Sequence, residues 1–145
     1  MDYSAKEIAR YIIDFSWDNS QAVSNLRLQK LLYFVQAEFL VSTGEACFED
    51  SIHAWNFGPV VPSVYYEYRM FGGTSIPSKG TNSRHYDINK EDKEIINGIV
   101  EYCNQFTTSQ LVQFTHNQEP WRKASRSLVS DEITIDSIKE YFSED

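Results

Sequence analysis

The chain has 145 residues, which suits a single domain that buries roughly two thirds of its unfolded surface without disulfides or metals as supports. Its two cysteines, Cys47 and Cys103, are far apart and have no C-x-x-C spacing, which argues against a disulfide framework or a zinc cluster and favours a cytoplasmic protein. No apolar run reaches the roughly 20 residues of a membrane span, so neither a signal peptide nor a membrane anchor is expected.

The acidic charge of the chain is unevenly distributed. The formal net charge is −8, and residues 127–145 carry six carboxylates against Lys139 alone, a local net charge of −5. The six are Asp131, Glu132, Asp136, Glu140, Glu144 and Asp145. Nucleic-acid affinity rests largely on neutralisation of phosphates by Lys and Arg, so direct binding to DNA or RNA is not expected. The acidic tail either steers a basic protein partner or only keeps a small protein in solution.

The first predicted helix begins at a capping box made by Ser4 and Glu7. Apolar residues from Ala5 to Ile13 then recur at helical spacing, which places them on one face. Residues 17–20, Trp-Asp-Asn-Ser, are predicted to form the loop that follows.

The second predicted helix has an unusually broad apolar surface. Apolar residues repeat at helical spacing from Leu28 to Phe39, and Gly44 supplies a stop signal. The apolar arc is widened by Leu26, Tyr33, Phe34 and Leu40. The helix is therefore expected to run through the middle of the domain, with neighbours on several sides.

A short strand is predicted between residues 47 and 58, because β-favouring residues alternate with period two until Gly58-Pro59. Pro62 suits the first turn of a new helix, since its missing N–H has no partner there. Apolar side chains at 61, 65, 68 and 71 align behind it, and Gly72-Gly73 ends the helix. Residues 84–88 are predicted to form a second strand.

The last third of the chain returns to helix. Asn89 caps a helix whose buried face runs from Ile95 to Phe106. Thr107 and Gln110 form another capping box, which opens a short helix that Pro120 forces to end. Pro120 can then start a new turn, and a final amphipathic helix covers residues 135–142. These elements predict one compact domain over residues 1–145 with about five to seven helices, mainly α, or α+β with a small two- or three-stranded sheet.

Three segments, "LRLQKLLYFVQAEFL", "AWNFGPVVPSVYYEY" and "LVQFTHNQEPWRKA", together resemble the Panacea domain, the SocA-like antitoxin family also associated with phages and mobile genetic elements. The resemblance implies a mainly helical antitoxin that binds and neutralises a separately encoded toxin. One member of that family also acts as an adaptor that delivers its toxin to a protease. The signature positions in this sequence are Leu28, Gln29, Lys30, Leu31, Tyr33, Trp55, Gly58, Pro59, Val60, Val61, Tyr65, Thr115, His116, Pro120 and Trp121.

Nothing in the sequence nominates a catalytic residue, a cofactor or a metal. His116 and Glu119 form H-x-x-E, but no second His or Cys stands at ligand spacing, so we expect a hydrogen-bonded structural histidine at a helix end. Motifs for a nucleophile, a phosphate cradle or a dinucleotide site are absent. The one basic concentration consists of Arg122, Lys123 and Arg126, with Arg27 and Lys30 as possible additions. In so acidic a chain these residues are expected to pair with its own carboxylates rather than with phosphates.

The aromatic run from residue 54 to residue 68 divides into two groups. Trp55, Val61 and Tyr65 are expected to turn inward and lock the corner against the second helix, and Trp121 is expected to be a core anchor rather than an interface hot spot. Some of the remaining rings must stay outside. The predicted partner-binding residues are Phe57, Tyr66, Tyr68, Asp131, Glu132 and Asp136.

The sequence therefore predicts a non-enzymatic antitoxin that occludes a basic toxin with an acidic and aromatic surface. A second hypothesis is an adaptor that tethers a partner to a protease. A third is a phage-encoded inhibitor of a host defence protein.

Overall fold

The computed structural model describes residues 3–80 and 84–143. These ranges contain seven α-helices and a small three-stranded antiparallel sheet, which confirms the predicted fold class. In chain order the elements are α1 (Ala5–Asp18), α2 (Asn25–Thr43), β1 (Ile52–Trp55), β2 (Gly58–Val60), α3 (Pro62–Tyr68), α4 (Lys90–Cys103), α5 (Thr108–His116), α6 (Glu119–Ser125), β3 (Glu132–Ile133) and α7 (Ile135–Phe142). A 3-10 turn, Arg69–Phe71, continues α3. None of these helices has the length and apolar character needed to cross a membrane.

Helix α2 runs through the centre of the fold and packs against α1, α4, α5, α7 and β2. The side chains at the predicted apolar spacing are fully buried: Leu28, Leu31, Leu32, Val35 and Phe39. The helix begins slightly before this pattern, because Ser24 Oγ accepts a hydrogen bond from Arg27 N at 3.2 Å and caps it. Gly44 ends it in the left-handed conformation with a φ of 81°. The broad apolar arc therefore predicted the central position of α2 correctly.

Helix α1 starts at the predicted cap, where Ser4 Oγ accepts a hydrogen bond from Glu7 N at 3.1 Å. The Glu7 carboxylate does not return to Ser4 but accepts from Asp87 N at 2.8 Å. The prediction of a loop over residues 17–20 is wrong for its first two residues, because the helix continues through Asp18. Trp17 faces solvent, so its bulk does not interrupt the helix, and the chain turns away at Ser20 with a φ of 59°.

The sheet has the strand order β2-β1-β3, and both pairings are antiparallel. Strands β1 and β2 form a hairpin, which we call the aromatic hairpin (residues 52–60), in which Trp55 lies opposite Gly58. Strand β3 pairs on the other side of β1, with Ile133 opposite Ile52. The predicted strand near residue 52 is confirmed, and its two partners were not predicted.

The prediction of a second strand over residues 84–88 is wrong. This segment has no strand pairing, and side chains attach it to α1 instead. The Arg84 guanidinium donates to both oxygens of Asp18, at 2.6 and 3.0 Å, and the Tyr86 hydroxyl donates to Asp14. The alternating pattern of residues 84–88 therefore reflects side chains that contact α1, not the pairing of a β-strand.

Candidate functional site

Buried amides at the start of α2 hold the chain where it leaves the aromatic hairpin. Gln29 Oε1 accepts a hydrogen bond from Val61 N at 2.9 Å, and Gln29 Nε2 donates to Asn25 Oδ1 at 2.9 Å. Asn25 Nδ2 in turn donates to the Tyr65 carbonyl at 3.1 Å. Both amide side chains are buried. Buried polar groups that are satisfied in this way fix the local backbone, so the junction between β2 and α3 is rigidly placed on α2.

The hairpin is packed directly onto the side chain of Lys30. Lys30 is fully buried, and its Nζ donates to the Pro59 carbonyl at 2.7 Å. Gly58 has a φ of 108°, and a Cβ at this position would lie 2.9 Å from both Lys30 Cε and Thr115 Oγ1. Within the described residues Lys30 forms no ion pair. A buried amine thus supports the hairpin turn through a carbonyl and not through a carboxylate.

We expect a pH-dependent stability from this arrangement. Burial lowers the pKa of Lys30 to about 7 from an ordinary value of 10.5. Between these values the unfolded chain binds more protons than the folded chain, so the free energy of unfolding rises as the pH increases. The slope is at most about 1.4 kcal/mol per pH unit, so the gain from about pH 7 to about pH 8.5 is about 1–2 kcal/mol. Lys30→Met is expected to lose this gain in urea unfolding curves measured at both pH values.

A matched control for this experiment is Lys90→Met, which removes an exposed ammonium at the start of α4. The free energy of unfolding of Lys90→Met is expected to rise with pH as it does in the wild-type protein. Apart from the substituted lysine, the ionisable groups are the same in all three proteins, so their contribution cancels in the differences. If the free energy of unfolding of the wild-type protein and of Lys30→Met rose equally with pH, Lys30 would not be the source of the pH dependence.

Residues of α5 and α6 hold the other side of the hairpin. His116 Nε2 donates to the Asn56 carbonyl at 2.9 Å, and Trp121 Nε1 donates to the Trp55 carbonyl at 2.9 Å. The rings of His116 and Trp121 lie against each other, with centroids 4.2 Å apart. His116 is hydrogen-bonded at the end of α5, as predicted, and its structural role stays a prediction. Trp121 is half-buried and packs against the core, as predicted.

These contacts present a surface that we call the aromatic face, formed by Trp55, Phe57, Tyr65 and Tyr66. Phe57 is 67% exposed at the hairpin turn, and Tyr66 is 55% exposed on α3. Val61 is buried as predicted, but Trp55 and Tyr65 are only half-buried. They do not turn fully inward but line an open groove of about 600 Å³, to which the N-terminal part of α2 also contributes. The groove is lined by Asn25, Leu26, Gln29, Ala54, Trp55, Asn56, Phe57, Val60, Tyr65, Arg69, Gly72 and Asp131.

Tyr68 does not belong to this surface. It is buried one helical turn after Val64, and its ring lies under the Arg10 guanidinium at 5.8 Å. Burial raises the pKa of Tyr68 above its ordinary value. The prediction of Tyr68 as a partner-binding residue is therefore corrected: its position in α3 places it on the core side, opposite Tyr66.

Of the predicted acidic residues, Asp131 lies beside the aromatic face. Asp131 lines the groove, and its carboxylate oxygen is 2.7 Å from His53 Nδ1. Its backbone carbonyl accepts from Ala54 N at 2.8 Å. Glu132 in β3 and Asp136 in the first turn of α7 are exposed.

Ser51, His53 and Asp131 form a continuous chain of hydrogen bonds. Ser51 Oγ lies 3.0 Å from His53 Nε2, whose other ring nitrogen contacts Asp131. This order occurs in serine hydrolases, where the serine also faces a substrate cleft and an oxyanion hole. Here Ser51 is exposed, and the groove that includes Asp131 is lined by neither Ser51 nor His53. The chain of bonds ties β1 to the segment before β3.

The basic residues behave only in part as predicted. Arg126 pairs with Glu119 at 3.0 Å, as expected for a chain rich in carboxylates. Arg27 instead donates to the Cys103 carbonyl at 2.7 Å, and Lys30 to that of Pro59. Within the described ranges, no group of three or more His, Cys, Asp or Glu side chains is placed to hold a metal ion.

Two apolar surface features were not predicted from the sequence. A groove of about 350 Å³ lies between α2, α4, α5 and α7, where Val41 and Tyr102 remain exposed. Leu128 and Val129 are almost completely exposed in the turn between α6 and β3. In the sequence, these two adjacent aliphatic residues stand between serines, and they fit neither a helical nor a strand periodicity.

Comparisons with known proteins agree with the resemblance. A family model described as "Antitoxin SocA-like, Panacea domain" matches residues 28–122. The chain is also similar to Antitoxin SocA of Caulobacter vibrioides (strain NA1000 / CB15N), with 32% identity over 127 residues that cover 81% of this chain and 68% of the relative. No solved structure matches the chain significantly. The matched range includes the aromatic hairpin and the side chains that hold it.

Proposed function

We propose that this chain, which belongs to the SocA-like antitoxin, Panacea domain family, is an antitoxin that neutralises a separately encoded protein toxin by covering it with the aromatic face. The antitoxin-type role rests on family membership. The mechanism by direct occlusion rests on one observation: the exposed rings of Phe57 and Tyr66 stand on the hairpin and on the helix after it, which buried and half-buried hydrogen bonds hold in place.

A rigid aromatic surface is physically suited to tight binding. Aromatic side chains are enriched among residues that dominate binding energy, and they lose little conformational entropy on contact. Because the hairpin is already ordered in the free protein, complex formation does not have to order it. An interface of about 1,600 Å² with a few such anchors is sufficient for nanomolar affinity.

The experiment is co-expression with the product of the adjacent gene. We expect the chain to rescue growth from the toxicity of that product and to co-purify with it in a stable complex. Absence of both the rescue and the complex would overturn the proposal. A fall in partner level only in cells that contain a particular protease would instead favour an adaptor role.

Phe57→Ser combined with Tyr66→Ser is expected to weaken the complex about 30-fold or more, since hot-spot aromatics contribute about 2 kcal/mol or more. The thermal midpoint of the free protein should change little, because both rings are largely exposed. Affinity is measured by titration calorimetry with the purified partner. The matched control is Tyr102→Ser, which removes a 60% exposed ring from α4 and should leave affinity unchanged. If both variants lost affinity equally, the effect would not be specific to the aromatic face, which would contradict the proposal.

Neutralising Glu132 and Asp136, as Glu132→Gln with Asp136→Asn, is expected to slow association and to flatten its dependence on salt. The reason is that long-range attraction to a basic partner acts mainly on the rate of encounter. Stopped-flow association at two ionic strengths measures the effect. Glu91→Gln with Glu101→Gln makes the same charge change on α4 and serves as control. An unaltered salt slope would leave the acidic residues with a role in solvation alone.

A further inference from the structure

The turn between α6 and β3 exposes apolar surface to an unusual degree. Leu128 is fully exposed and Val129 is 95% exposed, which exceeds the exposure of every other large hydrophobic side chain in the described ranges. Exposed apolar residues usually stand singly, and adjacent ones enlarge the area that water must cover. We call residues 127–130 the apolar tip.

The apolar tip is an ordered structure. Ser127 Oγ accepts hydrogen bonds from Val129 N at 3.2 Å and from Ser130 N at 3.3 Å. Ser130 Oγ then accepts from Glu132 N at 3.1 Å. Serine side chains that cap backbone N–H groups in this way define the shape of a turn. The two aliphatic side chains are therefore presented in a fixed backbone conformation.

The tip is also fixed to the sheet. On its C-terminal side, Asp131 is held by the backbone of Ala54 at 2.8 Å and by the His53 ring at 2.7 Å. Asp131 lines the same groove as Trp55 and Phe57. Two residues of extended chain span at most about 7 Å, so Val129 lies within that distance of a residue that borders the aromatic face.

Charged side chains of both signs flank the tip. Lys123 and Glu132 line the same shallow groove as Val129. A partner pocket that receives the tip would match this pattern with an apolar floor and with an acidic group on one side and a basic group on the other. Complementary charges at the rim fix the register of an interface, while the apolar centre supplies the affinity.

We propose that the apolar tip inserts Leu128 and Val129 into an apolar pocket of the toxin that the aromatic face covers, an inference that rests on the proposed function. The occupant is the same partner because Val129 is only two residues from Asp131, which lines the groove beside the aromatic face and is bonded to Ala54 of the hairpin. The tip thereby acts as a second anchor, beside the rings of the hairpin.

The test replaces both aliphatic residues, as Leu128→Ser with Val129→Ser, and uses the purified product of the adjacent gene as the probe. We expect the affinity to fall about 30-fold or more, because the variant no longer buries two aliphatic side chains in the complex. The thermal midpoint of the free variant should equal that of the wild type. Val41→Ser with Tyr102→Ser, which alters apolar surface beside α2 and α4, is the matched control and should bind normally.

Each other outcome overturns the inference in a recognisable way. Normal affinity of the tip variant, with weakened binding of the Phe57 and Tyr66 variant, removes the tip from the interface and leaves the proposed function intact. Failure of the wild-type protein to form any complex overturns both. A wild-type oligomer that becomes monomeric in the tip variant, with undiminished affinity for the partner, assigns the tip to contact between copies of this chain.

Discussion

Trp121→Ala is expected to lower the free energy of unfolding by about 2–4 kcal/mol, a value somewhat below that for a fully buried tryptophan. The ring packs against the core and the His116 imidazole, and its N–H satisfies the Trp55 carbonyl. Truncation creates a cavity and removes the hydrogen bond to that carbonyl. For a domain of this size the thermal midpoint should fall by roughly 7–13 °C, measured by circular dichroism.

Trp17→Ala is the control, because it makes the same chemical change at a tryptophan that is 47% exposed in the last turn of α1. We expect the midpoint to change by less than about 4 °C. A stable Trp121→Ala variant that no longer binds its partner would show that the Trp121 ring belongs to the interface and not to the scaffold.

Gly58→Ala is expected to destabilise the protein by about 2–4 kcal/mol, because two costs add. A side chain at a φ of 108° is strained in itself, and its Cβ would lie 2.9 Å from Lys30 Cε and from Thr115 Oγ1. Both neighbours are fully buried, so neither can move aside freely. Urea unfolding should show a lower midpoint with an unchanged slope.

Gly98→Ala gives the opposite expectation and serves as the control. Gly98 is exposed within α4, and a Cβ there would meet nothing within 4 Å. Alanine in an exposed helix interior is favoured over glycine by about 1 kcal/mol, so the unfolding midpoint should rise. A similar loss of stability in both variants would mean that the contact with Lys30 and Thr115 is not the cause.

Much of the fold could be predicted because its signals are local. The cap at Ser4, the apolar arc of α2 and the capping box at Thr107 are each set by residues within a few positions of one another. The corner at Gly58 was also predictable, since a Gly-Pro pair between aromatic residues restricts the backbone strongly. Each of these features appears in the structure at or near its predicted position.

The features that escaped prediction depend on distant contacts. Strand β3 has two residues, too few for any periodicity, and it forms only because β1 offers a free edge. The contact between His53 and Asp131 joins residues separated by 78 positions. Tyr66 and Tyr68 differ in burial because the phase of α3 is set by its packing, which their sequence context does not reveal. Partner-binding surfaces are harder still to predict, since their exposed residues do not contribute to the hydrophobic periodicity that indicates the fold.

The enclosure of Lys30 has a consequence for chemical labelling. At about pH 8 most of this amine is unprotonated and intrinsically nucleophilic, whereas exposed lysines remain largely protonated. Yet acylating reagents cannot reach it while Pro59 and Gly58 cover it. Its acylation rate, followed by peptide mass spectrometry, therefore reports how often the hairpin lifts from α2 in the native protein.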